Sequence, residues 1–369
     1  MENVPVGLLV SSIGFLLGGA FGATAQRTNF CTMGAISDIV FLEDWNRFRS
    51  WVLAMAVAIL GSQLLFQTGQ IDLAKSIYLT PNFGWAGAIV GGLLFGFGMT
   101  MGGGCGSKTL VRMGAGNLKS VVVAIFIGLF AYMTLRGLIG LGRVQFEGLT
   151  IIDLTAKGLQ TQGIPDFLAA MTSLPLEKVQ LIVAVLIVAG MFWYCFKSPS
   201  FRASKTNIAG GLIIGALIPA AWYLTGVIGA DEFEPVPLAS FTFVSPVGES
   251  LQYLMTFTGA SINFGIAAVG GVITGAFLMA KVTGTFQLES FTGAEDMVRN
   301  MSGGAIMGIG GILALGCTIG QGVTGLSTLA LGSFIALGSI LAGGFFGMKY
   351  LEYGKFSDAF RALFAPSGD

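Results

Sequence analysis

The sequence predicts an all-α, polytopic membrane protein, on three observations. Charge is scarce, apolar stretches recur at the length of a bilayer crossing, and glycine is abundant. Only 10% of the 369 residues are charged, against roughly 25% in an average soluble domain. The 57 glycines suit helices whose backbones approach closely in lipid. Net charge is zero, so no electrostatic footprint suggests nucleic acid. Histidine is absent, which removes the commonest metal ligand and general base. Cys31, Cys105, Cys195 and Cys317 are far apart, without the CxxC spacing of a zinc ribbon or a thioredoxin-like site. No cofactor motif is present.

A crossing takes roughly 20 helical residues, and about nine stretches qualify: 5–26, 50–69, 83–101, 117–140, 178–197, 207–229, 262–281, 300–316 and 326–348. The first lacks a basic flank and reads as a retained helix, not a cleaved leader. Shorter Gly-bounded pieces at 28–40, 105–113, 285–298 and 318–325 are expected to be re-entrant half-helices. Irregular backbone at membrane depth is tolerated only where protein buries it or it lines a cavity, so these pieces mark the site to search first. The stretch from 141 to 177 reads as an external loop with an interfacial helix.

Loop charge orients the chain. Lys197, Arg202 and Lys205 share a loop without acids, which reads as cytoplasmic, whereas Asp231, Glu232, Glu234 and Glu249 mark the far side. Counting outward puts the N-terminus outside and the C-terminus, with Lys349, Lys355 and Arg361, in the cytoplasm of a bacterial inner-membrane protein.

The whole chain, 1–369, reads as one integral membrane domain with an internal repeat, its halves at approximately 5–140 and 207–348. Gly91-Gly92, Gly96, Gly98, Gly104 and Cys105 align without a gap on Gly303-Gly304, Gly308, Gly310, Gly316 and Cys317. The helices preceding the two cysteines run in opposite directions in this span count, the mark of an inverted pseudo-symmetric repeat with a site near mid-membrane. The symmetry is partial, because 50–69 is an extra span and no cysteine answers Cys31.

In Gly102-Gly103-Gly104-Cys105-Gly106-Ser107-Lys108, a long helix ends and a short one begins. Successive glycine N–H groups form anion-binding nests, and a helix N-terminus adds donors and partial positive charge. Lys108 and Arg112 either attract an anion or reach the headgroups. Gly316-Cys317-Thr318-Ile319-Gly320-Gln321-Gly322 has the same form, with Thr318 and Gln321 as neutral donors. Cys31 follows the polar run Gln26-Arg27-Thr28-Asn29-Phe30. Arg27 either faces the site or pairs with Asp38 or Glu43. Glu289, Glu295 and Asp296 are expected to cap the short helix at 285–298. Cys195, in Phe192-Trp193-Tyr194-Cys195-Phe196, reads as packing in an aromatic interfacial belt. A neutral thiol is a soft, weak donor, and weak repeated sites suit passage because a substrate must also leave.

The stretches Asn29-Phe30-Cys31, Gly102 to Gly106 and Gly316 to Gly322 resemble the three cysteine motifs of the YeeE/YedE sulfur-transport family, a resemblance covering about residues 10–348. It implies a helical transporter, not an enzyme, with short helices meeting at its centre. Its implied substrate is thiosulfate or a related sulfur compound, and its functional cysteines carry over to Cys31, Cys105 and Cys317. The expected binding set adds Gly103, Gly104, Gly106, Lys108, Arg27, Gly316, Thr318, Gly320 and Gln321. No cofactor is expected, and one chain suffices for a central path. Three alternatives stay open: a sensor signalling to a cytoplasmic sulfur-metabolism or regulatory protein, a carrier of sulfite or a selenium compound, and a membrane sulfurtransferase.

Overall fold

The computed structural model describes residues 5–172, 174–231 and 234–364. Glu232 of the acidic loop lies outside them. The chain opens with α1 (Val6–Thr28), the short α2 (Thr32–Leu42) and α3 (Asn46–Gln67). Next come α4 (Trp85–Met101), the short α5 (Gly106–Gly114) and α6 (Leu118–Arg136). An excursion follows, with α7 (Leu138–Thr150) and α8 (Ile164–Thr172). Two strands, β1 (Asn82–Phe83) and β2 (Ile152–Asp153), pair antiparallel and tie the excursion to the start of α4. Then come α9 (Leu176–Phe196), α10 (Pro199–Ala203), α11 (Lys205–Tyr223), α12 (Val244–Met255) and α13 (Phe264–Val282). The last elements are α14 (Ala294–Leu313), a helix over 318–327 with π-helical Gly320–Gly325, α15 (Leu331–Tyr353) and α16 (Phe356–Phe364).

Among the described residues, eight runs are long and apolar enough to cross a membrane: those built on α1, α3, α4, α6, α9, α11, α13 and α15. The protein is a multi-pass helical membrane protein. The remaining expected span, 300–316, overlaps α14, which ends at Leu313, carries Glu295, Asp296 and Arg299 near its start and is too polar to count by composition alone. The half-helix expected at 285–298 does not form. Residues 287–289 run extended and bond to the turn after α5, through Gln287 N–H to Ala115 O and Glu289 N–H to Gly116 O. Glu295 and Asp296 sit in the first turn of α14 instead. The expected cap therefore does not form: Glu289 lies in the extended segment, and Glu295 and Asp296 stand in the first turn of a long helix that nothing breaks between Ala294 and Leu313.

A short helix appears where an external loop was expected. Ser240 to Phe243 thread through the interior, and α12 follows with Glu249 on it. Acids upstream masked this apolar stretch.

The helices pack reciprocally. In the core α4 lies between α14 and α15, and α14 in turn lies on α6. Beside it α1 lies on α13 and α11 on α3. Small residues set these distances. A Cβ at Gly98 would stand 2.8 Å from Gly303 O and from Met307 N. Such crossings are held by van der Waals contact, since lipid offers no hydrophobic drive between helices. Gly98→Val is expected to destabilise the fold by about 1–3 kcal/mol, read as a lower Tm in detergent. Gly190→Val, whose added side chain meets open space, serves as the control. Equal Tm values for the two variants would contradict tight packing at the α4–α14 crossing.

Candidate functional site

Three of the short helices begin at a cysteine. Each arises the same way: a long helix is stopped by a residue at positive φ, and a cysteine, extended at Cys31 and Cys105, precedes the next helix. The stops are Asn29 (φ 53°) after α1, Gly103 (φ 72°) after α4 and Leu315 (φ 57°) after α14. Asparagine and glycine tolerate that conformation; leucine adopts it only where the surroundings hold it. Cys31 Sγ accepts from Gly34 N–H at 3.4 Å, and Cys317 Sγ from Gly320 N–H at 3.4 Å. The thiols thus take the place that a serine or aspartate oxygen holds at an ordinary N-cap. Cys105 Sγ lies 3.3 Å from Ser107 Oγ.

The structure brings the three thiols together. Cys31 and Cys105 interact side chain to side chain, and Cys317 lies within electrostatic reach of Cys105. Thr318 Oγ1 sits beside the Cys105 thiol, buried, without a formed hydrogen bond. All three cysteines are unpaired and buried: Cys31 is 5% exposed, and Cys105 and Cys317 are 0%. Cys195 stands apart, packed with Leu53 and Phe201 and donating to Arg49 O at 3.3 Å.

The donors differ in detail from the expected set. The N–H groups of Gly103 and Gly104 close the end of α4, on Thr100 O and Met99 O, and Gly316 N–H closes α14 on Gly311 O. They are not free for a ligand. The first turns just after each cysteine are the ready donors, because their N–H groups have no partner within the helix. These are Thr32 and Met33, Gly106 and Ser107, and Thr318, while Ile319 N–H is turned to the Cys317 sulfur. Gln321 uses its amide N–H₂ on Ala314 O, leaving Oε1 without a partner. Thr32 Oγ1 is likewise buried and unpartnered. Unmet polar atoms of this kind cost on the order of 1–3 kcal/mol each, which a bound polar group would relieve.

The charges near this centre are held by neighbours. Lys108 Nζ donates to Asn29 Oδ1 at 2.6 Å, joining α5 to the end of α1 beside Cys31. Arg112 donates to Gly103 O at 2.8 Å and lies 4.0 Å from Glu289, which also takes a hydrogen bond from the Asn117 side chain. Asp38 pairs with Arg47 at 3.2 Å rather than with Arg27. Arg27 is exposed at the end of α1, and no described contact ties it to the thiols. Tyr78, Gln162, Gln321 and Ser333 are the polar side chains of a small, mostly apolar cavity beside the Cys317 helix. Among the described residues, no group of three or more cysteine or acidic side chains is arranged to hold a metal ion.

Sequence reasoning missed Asn29 as the partner of Lys108 and missed the segment 240–243. Thr324 Oγ1 donates to Phe241 O at 2.7 Å, and Phe243 N–H lies against the Cys317 sulfur. The run Phe241-Thr242-Phe243, closed by a proline in the first turn of α12, was the available signal.

The family profile described as sulphur transport matches residues 27–346. The chain is 26% identical over 330 residues to the thiosulfate transporter TsuA of Escherichia coli strain K12, covering 84% of this chain and 86% of that one. It is 28% identical over 318 residues to the thiosulfate transporter TsuA of Spirochaeta thermophila, covering 85% and 90%. A shorter likeness, 30% over 102 residues, links it to the probable transporter YedE of Escherichia coli, covering 27% of this chain and 23% of that one.

Mild oxidation of a Cys195→Ser variant with diamide is expected to join Cys31 to Cys105, detected as a cross-linked peptide by mass spectrometry. Cross-links formed only after denaturation would contradict the contact between them.

Proposed function

The chain belongs to the sulphur transport family, and on that premise we propose that it carries thiosulfate across the membrane along a path lined by Cys31, Cys105 and Cys317. The observation that carries this reading is the convergence of three cysteine-capped helix starts in one buried place. Each start favours an anion by about 0.3–1 kcal/mol, more where partly buried. The N–H groups of the first turns hold the oxygens, and the thiols meet the terminal sulfur. Neutral thiols suit this role better than thiolates, which would repel the anion. Because each contact is weak, the anion passes from one thiol to the next without a lasting bond.

Lys108, between Asn29 and the thiols, draws the anion along. Thr318 and Gly320 shape the Cys317 start, and Gly103 acts through its positive φ, which turns the chain toward Cys105. Arg27 has no part in this path. The reciprocal helix packing supports two related halves, approximately 5–140 and 207–348, within one transport domain. The basic loop at Lys197 to Lys205 supports a cytoplasmic C-terminus in the inner membrane, and import is the direction proposed for the anion.

The test is uptake of labelled thiosulfate by proteoliposomes. Cys105→Ala is expected to lower the initial rate at least about tenfold, the effect of losing about 1.4 kcal/mol of favourable interaction. Cys195→Ala is expected to leave it near the wild-type value. A Cys31, Cys105 and Cys317 triple variant that transports at the wild-type rate would sink the proposal.

A further inference from the structure

Four short helices, α2, α5, α12 and the helix over 318–327, lie among the long ones. Three start at a cysteine. The residue at that place before α12 is Phe243. It is fully buried, at 0% exposure. Its N–H lies against the Cys317 sulfur, and its Cβ is 3.8 Å from the place a Cβ would occupy at Gly106, next to Cys105. Phe243 therefore lies beside the Cys317 thiol and against the first residue of the helix that Cys105 opens.

Its ring does not stand alone. Its centroid is 5.2 Å from that of Phe21 on α1 and 6.1 Å from that of Phe241. Phe241 in turn stacks on Phe21 at 5.5 Å and meets Phe264 edge-on at 5.6 Å. The result is a dry aromatic wall beside a centre otherwise rich in N–H, hydroxyl and thiol groups.

We propose that Phe243 is a specificity-determining residue: with Phe21 and Phe241 it forms the apolar barrier between Cys105 and Cys317, passing anions that end in sulfur and rejecting fully oxygenated ones. This rests on the transport reading above. The chemistry follows from the ring. An apolar constriction excludes water, and an aromatic side chain offers an oxyanion no hydrogen bond. Polarizable sulfur makes favourable contacts at ring edges. Thiosulfate can present its sulfur to the ring while its oxygens stay on the helix starts. Sulfate presents an oxygen whichever way it turns.

The experiment measures initial uptake of labelled thiosulfate and of labelled sulfate in proteoliposomes holding the full chain, for wild type, Phe243→Ala and Phe243→Leu. The preference for thiosulfate over sulfate is expected to fall about tenfold or more in Phe243→Ala and by a smaller factor in Phe243→Leu. If the alanine variant does not fold, the leucine variant carries the test, since it keeps bulk but lacks the ring. Wild-type preference in the folded variants would overturn the proposal while leaving thiosulfate transport standing. A wild-type chain that takes up no thiosulfate would overturn the transport reading and this inference with it.

Discussion

Backbone that leaves the helical ladder deep in a membrane protein must find other partners, because lipid supplies none. Three interruptions of this chain meet that constraint in one way. A long helix stops at Asn29, Gly103 or Leu315, and a cysteine opens the next helix. Two of these sulfurs accept a backbone N–H from the turn they open, at 3.4 Å. Sulfur is a weak acceptor, so these starts are incompletely satisfied and keep their affinity for an anion. An oxygen cap would hold the turn more firmly and compete better with a ligand.

The rest of the fold brings these starts together. Close crossings at glycine, such as Gly98 on Gly303 and Gly310 on Phe95, draw α4 and α14 into contact. Cys105 and Cys317 follow those two helices, which run antiparallel, so the turns at Gly103 and Leu315 fold each cysteine back along its own helix toward the other. Cys31 arrives with α1, whose long contact with α13 sets its position. Lys108 then ties α5 to Asn29, so the cation belongs to the same frame as the thiols.

Much of this was legible in the sequence, because bilayer length and glycine spacing leave marks in one dimension. The long helices and the short ones after Cys31, Cys105 and Cys317 follow from apolar runs broken by Gly or polar residues. What was not legible depends on partners distant in sequence. Glu289 was expected in a helix and instead lies in an extended strap, because its backbone pairs with Gly116 and Leu118. Arg27 was weighed as a partner of Asp38, but Arg47 takes that place across the turn. The donors of Gly103 and Gly104 looked free because sequence does not reveal that α4 closes on them. Phe243 was hidden by the acidic loop before it, and only its packing against Phe21 and Phe241 places it beside the thiols.

The central claim, that the terminal sulfur of the anion meets the buried thiols, is tested most directly by the bound ligand itself. Crystals grown with selenosulfate, in which selenium replaces the terminal sulfur, would locate that atom by anomalous scattering. The account predicts a peak within about 4.5 Å of Cys31, Cys105 or Cys317 Sγ, with the oxygens toward the neighbouring helix starts. Selenium bound only at the Arg27 surface or elsewhere outside the thiol centre would contradict it.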